Sequence, residues 1–225
     1  MRRRTVSLAA LGVAVAFGVL VASAAALAPP AGTPDLSQMT IQPSDLAAGA
    51  KIGVDAYAKP PANFAAEYDR TFTVAATKAG VRMFGLDTQV LLANTPAVAV
   101  GFFTLERGIY RSKLGRRLLS KALESDTGKN GVKLTQVHFE KFRALALGSQ
   151  AFVQAVLLKI KNVKAAADFV VLRDGSVVTT LTVVLVQPKR TLAVATELGK
   201  DFVTHITAVL AATGPTGPSG ATGAS

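Results

Sequence analysis

The apolar positions change period along the chain, and the changes mark out its elements. From Tyr68 to Ala76, Tyr68, Arg70, Phe72 and Val74 alternate with their neighbours, the period of a strand. Lys78-Ala79-Gly80 is punctuation for a turn, and Val81 to Ala93 is a second strand-like stretch with a bulge expected at Gly85, so the two predict a hairpin. Asn94 or Thr95 then offers a helix cap, and Pro96 fits a first helical turn. Val98, Phe102, Leu105 and Ile109 follow at helical spacing, and Leu114, Leu118, Leu119 and Leu123 extend the helix with a shifted stripe, a kink or break being expected near Gly108 or Gly115.

Strand character returns over Val132 to Phe142 and, with both faces apolar, over Ala151 to Ile160, followed by a turn at Lys161 to Lys164. The strongest local signal runs from Phe169 to Val186. Asp174-Gly175 fits a two-residue turn with positive φ at both positions, which sets Leu172 opposite Val177 and Val171 opposite Val178. Both faces of that hairpin are apolar, which predicts a central place covered on both sides. Ala195, Leu198, Phe202, Ile206 and Val209 form one face of a closing helix over 190–212. Leu46 to Pro61 has no period and reads mostly as loop, with one helical turn starting at Pro43-Ser44-Asp45. The expected fold is α+β, a mainly antiparallel twisted sheet of about six strands packed by a long helix and a C-terminal helix.

The two ends have a different character. Arg2-Arg3-Arg4 precede an uncharged run from Thr5 through Pro34, rich in Ala, Val and Leu. That is the layout of a secretory signal peptide, and residues 1–28 are assigned to it, with 29–34 as a Pro-rich linker. Ala26-Leu27-Ala28 and Ala22-Ser23-Ala24 both fit a cleavage site, and an uncleaved anchor is the alternative. The expected location is extracytoplasmic, secreted or associated with the cell envelope. A single domain fills 35–212. Residues 213–225 contain four Gly-x-y triplets from Gly214, either a flexible low-complexity tail or a collagen-like remnant that promotes self-association.

The chain has no Cys, so disulfides, thiolate metal sites, cysteine nucleophiles and a lipid-bearing cysteine are all excluded. Dinucleotide, P-loop, nucleophile-elbow and zinc-protease motifs are absent. His138 and Glu140 share a strand face as a solvated pair, and His205 lies beside the stripe of the last helix. No catalytic, cofactor or metal residue is assigned. A serine triad or a carboxylate pair would be assembled in space, where spacing along the chain does not reveal it.

Removing the three leader arginines takes the formal net charge from +11 to +8, still strongly basic. Export sets nucleic acid aside as the partner and favours an anionic cell-wall polymer, a lipid surface or an acidic ligand. Eight basic residues fall within Glu106–Lys133: Arg107, Arg111, Lys113, Arg116, Arg117, Lys121, Lys129 and Lys133. The cluster is either a solvated face or a docking patch, and Arg107, Arg111, Lys113, Arg117 and Lys121 are the candidate contacts with an anionic surface.

Several segments together carry a family likeness: Leu36-Ser37-Gln38-Met39 with Pro43-Ser44-Asp45-Leu46, a helix ahead of Leu147-Gly148-Ser149-Gln150-Ala151-Phe152, the Arg173-Asp174-Gly175-Ser176-Val177 hairpin and a closing helix. In that order the chain resembles the extracytoplasmic sensor-like domains of actinobacterial membrane kinases and related small exported lipoproteins. The resemblance implies an α/β sandwich that binds ligand in a cleft; in this chain the expected cleft lies between the sheet and the long helix, lined by apolar residues, and suits an apolar small ligand. The chain departs from it in lacking the cysteines, the lipobox and the kinase, and no family binding residue transfers. The expected function is an exported, non-catalytic ligand-binding or sensor-like domain, possessing no cofactor, with a structural cell-surface protein as the alternative.

Overall fold

The computed structural model describes residues 28–47, 49–73, 77–78, 81–129, 134–160, 163–186 and 191–213. Residues 1–27, which fall in the segment read as a leader, the Gly-x-y triplets, Ala79-Gly80 and Lys161-Asn162, read as part of a turn, lie outside the described residues. The elements are β1 (Lys51–Ala58), β2 (Phe64–Thr73), β3 (Thr77–Lys78), β4 (Val81–Ala93), α1 (Pro96–Arg111), α2 (Lys113–Lys129), β5 (Leu134–Phe139), β6 (Arg143–Leu145), β7 (Gln150–Ile160), β8 (Val163–Asp174), β9 (Val177–Leu185) and α3 (Thr191–Thr213). Short 3-10 turns at Leu36–Gln38 and Pro43–Asp45 precede them.

The α+β class and the antiparallel sheet are as expected, but the sheet has nine strands among the described residues, not about six. Its main order is β1-β2-β4-β9-β8-β7-β5, with β3 beside β4 and β6 beside β7. β8 and β9 are therefore central. Side chains alternate between two cores. Val170, Leu172, Leu181 and Val183 point to one face, where Leu198, Phe202 and Ile206 of α3 cover them with Leu36 and Met39. Phe152, Val156, Phe169 and Val171 point to the other, under Ala99, Phe103 and Tyr110 of α1 and Leu119 and Leu123 of α2.

β1 corrects the loop expected over Leu46 to Pro61. It is an edge strand whose register shifts between Ile52 and Asp55, so Ile52, paired with Phe72, lies on the face of Asp55 and Tyr57 despite its opposite parity; Tyr57 is buried there and Ile52 is exposed. The shift, and Tyr57 as the one buried side chain of the strand, leave no regular alternation to read. β2 and β4 pair as the predicted hairpin, and the register shifts between Met83 and Gly85 where the bulge was expected.

The central hairpin needs a second correction. Asp174 pairs with Val177 and Arg173 with Val178, so Gly175 and Ser176 form the turn, and Leu172 faces Thr179 in place of Val177. Gly175 has φ 54°, and Asp174 remains in the strand. Positive φ at the first central position alone is the requirement of a type II′ turn, not of I′. The register moves by two in the sum of paired positions, so every side chain keeps its predicted face. A Cβ at Gly175 meets nothing within 4 Å, so the penalty of a substitution is conformational. Gly175→Val is expected to lower stability by about 1 kcal/mol or more, since a β-branched residue resists positive φ; an unchanged urea midpoint would contradict the turn.

The expected long helix is two. Ser112, with φ −81° and ψ 147°, ends α1 and starts α2. Its N–H donates to Gly108 O at 3.0 Å, its Oγ accepts from Gly115 N at 2.9 Å, and its carbonyl accepts from Arg116 N at 3.1 Å. Arg116 Nε donates to Tyr110 O at 2.8 Å and so satisfies a carbonyl left over at the end of α1. The cap before α1 is Thr95, whose Oγ1 accepts from Val98 N at 3.3 Å, with Pro96 as the first helical residue. The buried stripe of α1 lies one residue beyond the predicted face: Ala99, Phe103, Glu106 and Tyr110 are buried, Val98, Phe102 and Ile109 are partly buried, and Leu105 is exposed. The rings of Phe103 and Tyr110 on that stripe outweigh the face beside it, which carries one ring at Phe102, even with a carboxyl between them.

Candidate functional site

All five predicted contact residues, Arg107, Arg111, Lys113, Arg117 and Lys121, are exposed. They lie on consecutive helices on one side of the sheet, and among the described residues none is held in an ion pair. Arg111 lays its guanidinium over the Phe142 ring, 5.7 Å from the centroid. Arg116 turns inward, onto Tyr110 O and over Phe139 at 5.8 Å, and is a structural residue. The side chain of Lys129 and the whole of Lys133 lie outside the described residues. α2 has no acidic residue in its first turn, so nothing offsets Lys113, Arg116 and Arg117 there.

The surface is held in place by local causes. Leu119 and Leu123 bury one side of α2, and Arg116 anchors its start to the end of α1. What remains outward is fixed by helical spacing: Leu114 and Leu118 form one i, i+4 ridge, with Arg117 and Lys121 beside it as another. Leu114 is 67% exposed and Leu118 is 53% exposed. The sequence pattern had assigned both to the core-facing stripe. The break at Ser112 rotates α2 relative to the continuous helix that the pattern implied, and they face solvent.

The interval between α1 and the sheet, expected as an apolar cleft, holds packed rings. Phe152 lies 5.4 Å from Phe103, 5.5 Å from Tyr110 and 5.0 Å from Phe142, and Tyr110 lies 5.9 Å from Phe169, centroid to centroid.

Two polar groupings escaped the sequence pattern. On the α3 face, buried Arg70 donates from Nε to Asp55 Oδ1 at 2.6 Å and from Nη1 to Gln42 Oε1 at 2.9 Å and Ile41 O at 3.2 Å, while Tyr68 OH donates to Asp55. Tyr57 OH accepts from Leu36 N at 3.0 Å and donates to Asp35 Oδ1 at 3.1 Å. These bonds strap the first 3-10 turns to the sheet edge. Every strong donor has a partner inside the network, so its role is structural.

On the opposite face, β2 and β4 set Glu67, Asp69, Asp87 and Gln89 side by side, Asp69 directly opposite Gln89. Burial, joined by the neighbouring charge of Asp69, raises Glu67 and Asp87 each to about 7, and burial raises Asp69 to about 6. Gln89 Nε2 opposes this by donating to Glu67 Oε1 at 2.8 Å. Glu106 on α1, 8% exposed, is raised to about 7 by burial. Glu67, Asp87 and Glu106 are therefore partly protonated near neutral pH. Among the described residues no group of three or more His, Asp or Glu is placed to hold a metal ion.

Each of the two histidines faces one carboxylate. His138 Nε2 is 3.8 Å from Glu140 Oε1, both well exposed. His205 Nε2 is 2.8 Å from Asp45 Oδ2, and Lys78 Nζ donates to Asp201 Oδ2 at 2.6 Å, so the two contacts tie α3 to the second 3-10 turn and to β3. No helix among the described residues is long and apolar enough to cross a membrane. Comparison of the chain with protein-family models, with curated proteins and with solved structures gives no match, so the arrangement of these residues is the ground on which a function rests.

Proposed function

We propose that the chain is an exported, non-catalytic binding domain that settles on an anionic surface of the cell envelope through the outward face of α1 and α2. The observation that carries this reading is the set of five exposed cations, Arg107, Arg111, Lys113, Arg117 and Lys121, none ion-paired among the described residues, on a basic chain whose first residues have the layout of an export leader. Unpaired surface cations attract a polyanion over a Debye length and give modest specificity, which suits a wall polymer or a lipid headgroup layer more than a single small ligand. The likeness to extracytoplasmic sensor-like domains supports the compartment. The packed rings beneath α1 favour an outer surface over an internal cleft as the place of contact.

Adsorption to anionic wall fragments or vesicles is expected to be strong at low salt and to fall steeply past physiological ionic strength, where the Debye length drops below about 8 Å. Arg111→Glu with Arg117→Glu should weaken it tenfold or more at low salt, since each cation near such a surface contributes about 1 kcal/mol. Arg111 also rests on Phe142, so Arg117→Glu with Lys121→Glu is the cleaner pair, and its melting midpoint should match the native one. Adsorption that is absent at low salt, or indifferent to both pairs, would leave the cluster as a solvated face.

A further inference from the structure

The outward face of α2 carries more than charge. Leu114 and Leu118 stand one turn apart with most or half of their surface in water, and neither is needed by the core that Leu119 and Leu123 complete. Lys113, Arg117 and Lys121 border them, all exposed. On an ideal helix the leucine ridge and the cation ridge are about 60° apart, so one flat surface meets both. A purely polyanionic partner gains nothing from the leucines. A bilayer of anionic lipid takes both groups at once, because the leucines reach the acyl boundary while the cations, on flexible stems, stay among the headgroups.

We infer that α2 is the contact helix and that its partner is an anionic lipid bilayer, on which the helix lies flat with Leu114 and Leu118 dipped below the headgroups. The inference rests on the proposed docking of the α1–α2 face and names its partner. α2 spans Lys113–Lys129, and its buried side stays on the protein, so contact is peripheral and adds only the outward half of the helix. Two leucines with three cations place binding in the weak, reversible range that needs both signals together. Salt screens the charge contribution alone, so at fixed low salt the bilayer affinity also depends on the two leucines, which affinity for a wall polymer would not.

The chain has no Trp, so Leu118→Trp introduces a single reporter at the proposed depth. Vesicles of equal parts phosphatidylcholine and phosphatidylglycerol are expected to shift its emission to the blue, and brominated acyl chains to quench it, while long-chain polyphosphate should bind without either effect. Leu114→Ser with Leu118→Ser should weaken vesicle binding roughly tenfold and leave polyphosphate binding unchanged, because serine removes apolar area and no charge. Native vesicle affinity in the serine variant, or an unshifted tryptophan in the vesicle-bound protein, overturns the bilayer. If salt-sensitive binding to polyphosphate persists in that case, docking on an anionic surface stands without the lipid. Failure to bind either probe ends both readings. Should the serine variant lose its fold, the tryptophan emission decides the question alone.

Discussion

Gly115→Ala is expected to destabilise the protein by about 3 kcal/mol, at the severe end for adding one carbon, because the atom it collides with is backbone. A Cβ at Gly115 would stand 2.1 Å from Ile109 O and 2.7 Å from Ile109 C. Relief requires α1 and α2 to part, and parting them breaks the Gly115 N to Ser112 Oγ bond and the Arg116 Nε bond to Tyr110 O. Gly108→Ala is the natural control. Nothing lies within 4 Å of a Cβ there, and helix propensity should raise stability by about 0.5–1 kcal/mol. Urea denaturation of the two variants should therefore move in opposite directions; parallel shifts would mean that the joint is not closed as described.

Glu106→Gln should stabilise the protein at pH 8 by about 2 kcal/mol and confer little or no advantage at pH 4. Burial raises Glu106 from its ordinary value of 4.5 to about 7 in the folded state. Below the unfolded value both states hold the proton and burial brings no ionisation penalty. Between 4.5 and about 7 the unfolded chain releases its proton while the folded chain keeps it, so stability falls as pH rises, by about 1.4 kcal/mol per unit. Above about 7 the loss is complete, and glutamine avoids it, less the penalty of burying an amide. Glu67, Asp69 and Asp87 act with the same sign but are partly exposed, so screening reduces their share. Melting midpoints of native and variant protein between pH 4 and pH 8 should diverge upward. Parallel curves would place Glu106 in water.

The elements legible in the sequence are those whose signal is local. Thr95-Pro96 fixed the start of α1 through a cap and a ring-locked φ, and Ala195, Leu198, Phe202 and Ile206 marked the buried face of α3 by spacing alone. The two-faced apolar run around Gly175 announced a central hairpin, though the turn residue alone did not decide between two registers. β1 was illegible because a register shift between Ile52 and Asp55 breaks its alternation and Tyr57 is its one buried residue. The break at Ser112 was felt as weakness at Gly108 and Gly115, and which one mattered depended on the approach of Ile109.

The candidate contact residues were legible for a related reason: long charged side chains on a helix are exposed unless something draws them in, as the Tyr110 carbonyl does Arg116. The outward leucines were not, because Leu114 and Leu118 have the spacing of a core stripe, and only the turn at Ser112 takes them out of it. The Arg70 network and the row of Glu67, Asp69 and Asp87 were equally hidden, since they join strands whose pairing is set by register across the sheet.

The absence of Cys permits one measurement on the contact face itself, since a single introduced thiol carries a fluorophore without competition. Ser125→Cys places it on the exposed side of α2, and Thr204→Cys places it on the exposed side of α3 across the sheet. When labelled protein adsorbs to an anionic surface at low salt, emission from position 125 should change and emission from position 204 should not. An equal change at both sites, or a change at 204 alone, would contradict docking through α1 and α2.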